Sequence, residues 1–236
     1  MLAIIGSDTG VGKTLVTGLL AQALRAAGRR VWLHKPVACG GWHAGTAEDG
    51  RTLLAWRGDG QPAATICPRQ FPEPASPHLA AAAAGDAVHL ADLLAALDAV
   101  RPTPRRVHDL LIEGVGGLLV PLTPRRETLC DLLVAARIPT LLVTRPHLGT
   151  LNHSALTVAH ARRRGLVIAG LVVNEHAPAG DSLAVRSADR ELAAVTGLPV
   201  LAHLPHGDRT AQEHQAAALA ASLLTWHGEP RPDLGR

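Results

Sequence analysis

Near the N-terminus the run Gly6-Ser7-Asp8-Thr9-Gly10-Val11-Gly12-Lys13-Thr14 has the residue types and spacing that wrap a chain of phosphates. Glycines let backbone N–H groups turn inward around phosphate oxygens. A helix starting at the end of the run adds the positive end of its dipole. Lys13 then reaches the β- and γ-phosphates as a mobile point charge, and the Thr14 hydroxyl is a ligand for Mg²⁺. One position departs from the strict pattern GxxxxGK[ST], which asks for glycine where this chain has Ser7; the nearest glycine is Gly6.

Four more positions carry chemistry. Of the 23 cationic residues only Lys13 and Lys35 are lysines, and the rest are arginine. Lys35 lies in His34-Lys35-Pro36-Val37-Ala38-Cys39-Gly40-Gly41, at the end of an apolar run. A buried ammonium needs an anion, and the phosphate-binding edge of a sheet supplies one. A compact ammonium and a planar guanidinium are not equivalent there. Glu113 ends another apolar run and is placed to hold Mg²⁺ directly or through water. Asp49 is a third candidate contact to that ion, although Asp49-Gly50 also reads as a turn. Asn174, followed by Glu175, offers a donor and an acceptor to the edge of an adenine; a turn-capping role suits it equally.

These positions need a scaffold. Apolar runs of strand length alternate with helical periodicity. Strands are expected at residues 2–6, 31–37, 107–113, 140–144, 167–174 and 200–204. Helices are expected at 15–27, near 46–56, near 78–84, and at 90–100, 128–137, 150–164, 181–196 and 211–226. Residues 114–117 read as a glycine loop and 38–78 as the irregular part. The alternation predicts a doubly wound α/β fold with a mainly parallel sheet flanked by helices, of the P-loop NTPase type. Ligands in such sheets gather at the carboxyl ends of the strands. Residues 1–226 are expected to form a single domain, with 227–236 as a tail.

Composition removes other classes. The formal net charge is +3, the basic runs are short and aromatics make up 2%, so nucleic-acid binding has little support. Cys39, Cys67 and Cys130 are scattered and odd in number, which is no disulfide framework. The thirteen histidines show no HExxH spacing. The N-terminus lacks the marks of a signal peptide, and no apolar stretch reaches membrane-spanning length. A soluble, cytoplasmic protein with no membrane partner is expected.

Taken in order, GSDTGVGKT, KPVACGG, EPASPH at 73–78, EGVGGLLVPL at 113–122, LGTLNH at 148–153, VVNE at 172–175 and LP at 204–205 are similar to the dethiobiotin synthetase family. The likeness runs across residues 1–208. It implies ATP and Mg²⁺ as cofactors, and 7,8-diaminononanoate with CO2 or bicarbonate as substrates. It also implies a route through a carbamate and a carbamic-phosphoric anhydride to dethiobiotin, ADP and phosphate. By the resemblance, Lys13, Lys35 and Thr9 act on the reacting groups, and Thr14, Asp49 and Glu113 gather Mg²⁺. The nucleotide meets Gly10, Val11, Gly12, Lys13, Thr14 and Leu15, then Gly114, Val115 and Gly116. Its adenine meets Asn174 and Glu175 and the turn Pro205-His206-Gly207. The substrate meets Thr9, Lys35 and Cys39 and, across a homodimer interface, the helix start Thr150-Leu151-Asn152. The family's usual KPVASG has Ser where this chain has Cys39, a poorer donor and a larger atom. The alternative is a nucleotide-switch ATPase of the partition or septum-placement type. Those proteins carry a signature lysine before the loop glycines, where this chain has Ser7-Asp8-Thr9.

Overall fold

The computed structural model describes residues 1–175, 177–178, 180 and 182–226. The expected tail, 227–236, and the expected first residue of one helix, Asp181, lie outside the described residues. Strands β1 (Leu2–Gly6), β2 (Val31–His34), β5 (Asp109–Gly117), β6 (Thr140–Thr144), β7 (Ile168–Asn174) and β8 (Val200–Leu204) form one sheet in the order β2-β5-β1-β6-β7-β8, every pair parallel. A two-stranded parallel sheet of β3 (Ala38–Cys39) and β4 (Gln70–Phe71) stands apart from it.

The helices are α1 (Lys13–Ala26), α2 (Glu48–Ala55), α3 (Pro77–Ala83), α4 (Leu90–Val100), α5 (Leu129–Ala136), α6 (Thr150–Arg163), α7 (Leu183–Thr196) and α8 (Arg209–Leu224). They cover both faces of the sheet. Side chains alternate along β1, so Ile4 packs with Val16 and Leu20 of α1 and Leu219 of α8. Ile5 packs on the other face with Leu97, Leu132, Val158 and Leu192 of α4 to α7. With almost no aromatics, aliphatic side chains fill both layers.

Two expected elements end elsewhere. The strand expected at 31–37 stops at His34, because Pro36 has no N–H to give a ladder. Lys35 therefore lies just beyond β2, with its N–H donating to the Ile66 carbonyl at 2.6 Å. The strand expected at 107–113, by contrast, continues to Gly117, so 114–117 is not a loop and Glu113 is inside β5. Glycine is needed in this stretch because the chain is crowded. A Cβ on Gly114 would lie 2.5 Å from Leu129 Cδ2, and Gly116 has a φ of 58°. Register then fixes the site: β2 pairs His34 with Ile112, β1 pairs Ile4 with Glu113, and Lys35 comes level with Glu113 at the carboxyl edge.

Candidate active site

The turn between β1 and α1 takes the shape of a phosphate loop. Gly10 and Gly12 have φ of 72° and 88°, in the left-handed region where a side chain is unfavourable. The departure at Ser7 also has an explanation. A Cβ at Gly6 would lie 2.6 Å from the Asp8 carbonyl oxygen and 3.0 Å from Lys13 Nζ, so glycine is needed at 6. Ser7 instead donates its hydroxyl to Thr144 Oγ1 at 3.0 Å at the end of β6, and its N–H to the Val143 carbonyl at 2.9 Å. Asp8 Oδ1 accepts the Thr9 N–H at 2.7 Å, and Arg145 approaches Asp8 at 3.5 Å.

The three predicted Mg²⁺ contacts converge. The Thr14 hydroxyl lies 2.8 Å from Glu113 Oε1 and 3.1 Å from Asp49 Oδ1. Asp49 comes from the first turn of α2, where a carboxylate suits the helix dipole. The Lys35 ammonium, 1% exposed, bridges the same two carboxylates, at 2.6 Å from Glu113 and 2.7 Å from Asp49. Burial alone would lower the pKa of Lys35. The charges and hydrogen bonds of Glu113 and Asp49 outweigh it and hold the group above the ordinary lysine value. Asp49 is displaced the opposite way: burial opposes its charge, but Lys35 and Thr14 keep its carboxyl below the usual range.

Lys13 donates to the Asp8 carbonyl at 3.2 Å. Burial and the neighbouring Lys35 charge pull its pKa down to about 8, which phosphate oxygens would reverse. Glu113 Oε2 is fully buried without a hydrogen-bond partner among the described residues. An orphaned carboxylate oxygen beside a Thr hydroxyl and a second carboxylate is an oxygen donor set that fits Mg²⁺.

The nucleotide end differs from the expectation in one detail. Asn174 Nδ2 donates to the Val11 carbonyl at 2.9 Å, tying β7 to the phosphate loop, so one of its two N–H donors is already used. Its buried Oδ1 has no partner among the described residues and is an acceptor suited to an exocyclic amine. The Glu175 carboxylate faces His203 at 3.0 Å and accepts the His206 N–H at 3.2 Å, so it shapes the turn that follows β8. Gln212 of α8 donates to the Pro205 carbonyl at 2.8 Å, and Gly207 has a φ of 73°.

A cleft of about 650 Å³ joins Thr9, Lys13 and Cys39 to Glu113, Val115 and Gly116. Pro74 to Pro77 of EPASPH form one wall of it, a placement the motif alone did not give. His78 anchors that wall, with Nδ1 3.1 Å from Ser76 Oγ and 3.2 Å from the Pro121 carbonyl. Cys39 lines the cleft half-buried, and burial pushes its thiol up to about 11. A second cleft of about 430 Å³ runs from Asp8 and Thr9 past Leu119 and Val120 to His153 and Leu156 of α6. At the start of α6 the Thr150 hydroxyl points inward, 2.6 Å from Thr144 Oγ1. Gly149 at the cap supplies no side-chain oxygen, so the first-turn N–H groups of Leu151 and Asn152 are what the helix start can offer. Leu15, on the first turn of α1, packs against the core rather than into the cleft.

A family model described as an AAA domain matches residues 1–214. The chain is 46% identical over 180 residues to the ATP-dependent dethiobiotin synthetase BioD of Anaeromyxobacter dehalogenans (strain 2CP-C), covering 76% of this chain and 78% of that one. It is 42% identical over 174 residues to the enzyme of the same name from Ralstonia nicotianae, covering 72% and 74%. Among solved structures, the cell division ATPase MinD of Pyrococcus furiosus shares the fold, with a TM-score of 0.58 and 16% identity over 94% of this chain and 98% of that one.

Proposed function

The chain belongs to the ATP-dependent dethiobiotin synthetase family, and from that we propose how its residues carry the reaction. It is an ATP-dependent ligase of biotin biosynthesis that forms C–N bonds. Its fold is shared with MinD, a likeness that extends to the fold alone and does not favour the nucleotide-switch alternative.

In our reading, one amine of 7,8-diaminononanoate takes up CO2 as a carbamate. A carbamate oxygen attacks the γ-phosphorus of ATP and ADP leaves. The second amine attacks the carbamic carbon, and phosphate departs with that carbamate oxygen as the ureido ring closes. Each step brings anions together, so positioning and charge neutralisation supply most of the catalysis. Lys13 holds the γ-phosphate, Lys35 holds the carbamate and the γ-phosphate together, and the N–H groups of residues 10–15 wrap the other phosphates. Thr14, Asp49 and Glu113 would hold Mg²⁺, and the ion would supply charge neutralisation to the phosphates. Gly114, Val115 and Gly116 meet the nucleotide, and the Asn174 and Pro205 edges hold its base. Thr9 and Cys39 contact the diamine.

The homodimer belongs to this proposal. Leu148 is 95% exposed, and Leu156 and Leu119 are also exposed around the second cleft. An apolar face of this kind beside the α6 start suits a second copy whose Leu151 and Asn152 N–H groups would meet the substrate carboxylate. The expected location is the cytoplasm; no helix of the described residues is long and apolar enough to cross a membrane.

The observation that carries the reading is the Lys35–Glu113–Asp49–Thr14 cluster at the mouth of the phosphate loop, in which Lys35 and Glu113 are buried and Asp49 and Thr14 are half-buried. Its test is incubation with ATP, Mg²⁺, ¹³C-bicarbonate and diaminononanoate, with mass detection. Dethiobiotin carrying one ¹³C, formed one for one with ADP, is the expected product. ATP binding without any dethiobiotin would overturn the reading.

A further inference from the structure

Behind the nucleoside edge stands a chain of three ionisable side chains that the steps above do not use. The His203 ring on β8 has Nδ1 2.9 Å from both carboxylate oxygens of Asp189 on α7. Its Nε2 lies 3.0 Å from Glu175 Oε1 at the end of β7. The other oxygen of Glu175 accepts the His206 N–H at 3.2 Å, inside the turn Pro205-His206-Gly207. Among the described residues these are the charged groups facing the ring. From α8 the neutral Gln215 accepts the His203 backbone N–H at 3.5 Å.

We propose that His203 is a positioning residue for the nucleotide base: bridging Asp189 and Glu175, it fixes the carboxylate that holds the His206 amide and so sets the turn against which the base lies. The proposal rests on the reading of Asn174 and the 205–207 turn as the base subsite. Its chemistry follows from donor counting. The imidazolium has two N–H donors, one for each carboxylate. The neutral ring has one, and its remaining lone pair must face a carboxylate oxygen. The Asp189 hydrogen bond, opposed by burial and reinforced by Glu175, raises the His203 pKa above the ordinary imidazole value. The clamp is therefore complete below about pH 6.5 and is lost as pH rises through the raised value.

Calorimetric affinities of Mg-ATP and of Mg-tripolyphosphate, measured across that window, test this. Tripolyphosphate reads the phosphate loop without the base, so the titration of Lys13 affects both ligands, and each affinity is referred to the fully ionised Mg-bound ligand before the ratio is taken. The ratio of ATP to tripolyphosphate affinity is expected to fall several-fold with rising pH in the wild type. In His203→Gln it should be low and flat, with the KM for ATP raised and kcat within about twofold. Asp189→Asn, which keeps the side-chain shape, should lower the ratio in the same direction and serves if the first variant does not fold. A pH-independent wild-type ratio, or variants matching the wild type, overturns the proposal. Photolabelling with 8-azido-ATP separates the two readings. Label at 174–175 or within 204–207 together with a flat ratio removes His203 alone, whereas label outside both segments removes the base subsite and this role with it.

Discussion

In the proposed mechanism Lys35 is both structural and reactive. Its ammonium is buried between Glu113, itself fully buried, and Asp49, so its charge is compensated by the protein. Removing one partner of such a pair typically costs about 3–5 kcal/mol, because the other charge is left buried. Arginine keeps the charge but replaces a compact donor by a planar fork. Lys35→Arg is expected to stay folded, judged by its melting temperature, and to lose about 10²-fold or more in turnover, as removal of a preorganised charge donor does. Turnover at the wild-type rate would show that any cation serves. The sequence pointed to Lys35 through the scarcity of lysine and to Glu113 through its place at the end of an apolar run, while Asp49 could be read equally as part of a turn. It did not show that the two carboxylates meet the ammonium itself, since that depends on the register of β2 against β5 and on where α2 packs. Nor did it give His203 or Asp189 a role, since His203 stands in no ligand spacing and Asp189 belongs to no motif.

At the scale of elements, the phosphate loop was legible because its glycines, lysine and threonine lie between an apolar run and a helical period. The end of β5 was not. Glycines signal a turn when read alone, yet here they let β5 pass under Leu129 and beside the loop. The split of the expected second strand at Pro36, and the small β3–β4 sheet, depend on partners that local pattern does not reveal. The most demanding backbone position is Gly12, with a φ of 88° and the Asn174 amide pressed against the place of a Cβ. Gly12→Ala is expected to cost about 1–3 kcal/mol of backbone strain and to displace Asn174 from the Val11 carbonyl. Its stability in urea should drop and its ATP affinity should fall by at least an order of magnitude. Unchanged ATP binding would mean that the loop does not wrap the phosphates as described.

For the whole molecule, the alternation of strands and helices gave the parallel sheet and its loaded edge, while the strand order emerged only from the structure. The candidate site residues lie at the carboxyl ends of β1, β2, β5, β7 and β8, with Asp49 brought to the same edge by α2, and the α6 start projects from the end of β6 beside exposed Leu148. If a second copy covers that face, the wild type sediments as a dimer. Leu148→Asp should shift it toward monomer and raise the KM for the diamine more than that for ATP. A monomeric wild type with full activity would remove the partner from the site. The central claim is that ATP phosphorylates a carbamate made from CO2, and one labelling measurement tests it most directly. In a single turnover with C¹⁸O2, diaminononanoate and Mg-ATP, the released phosphate should carry one ¹⁸O and dethiobiotin the other. Phosphate without label would mean that the γ-phosphoryl group went to water or elsewhere, and would contradict the account.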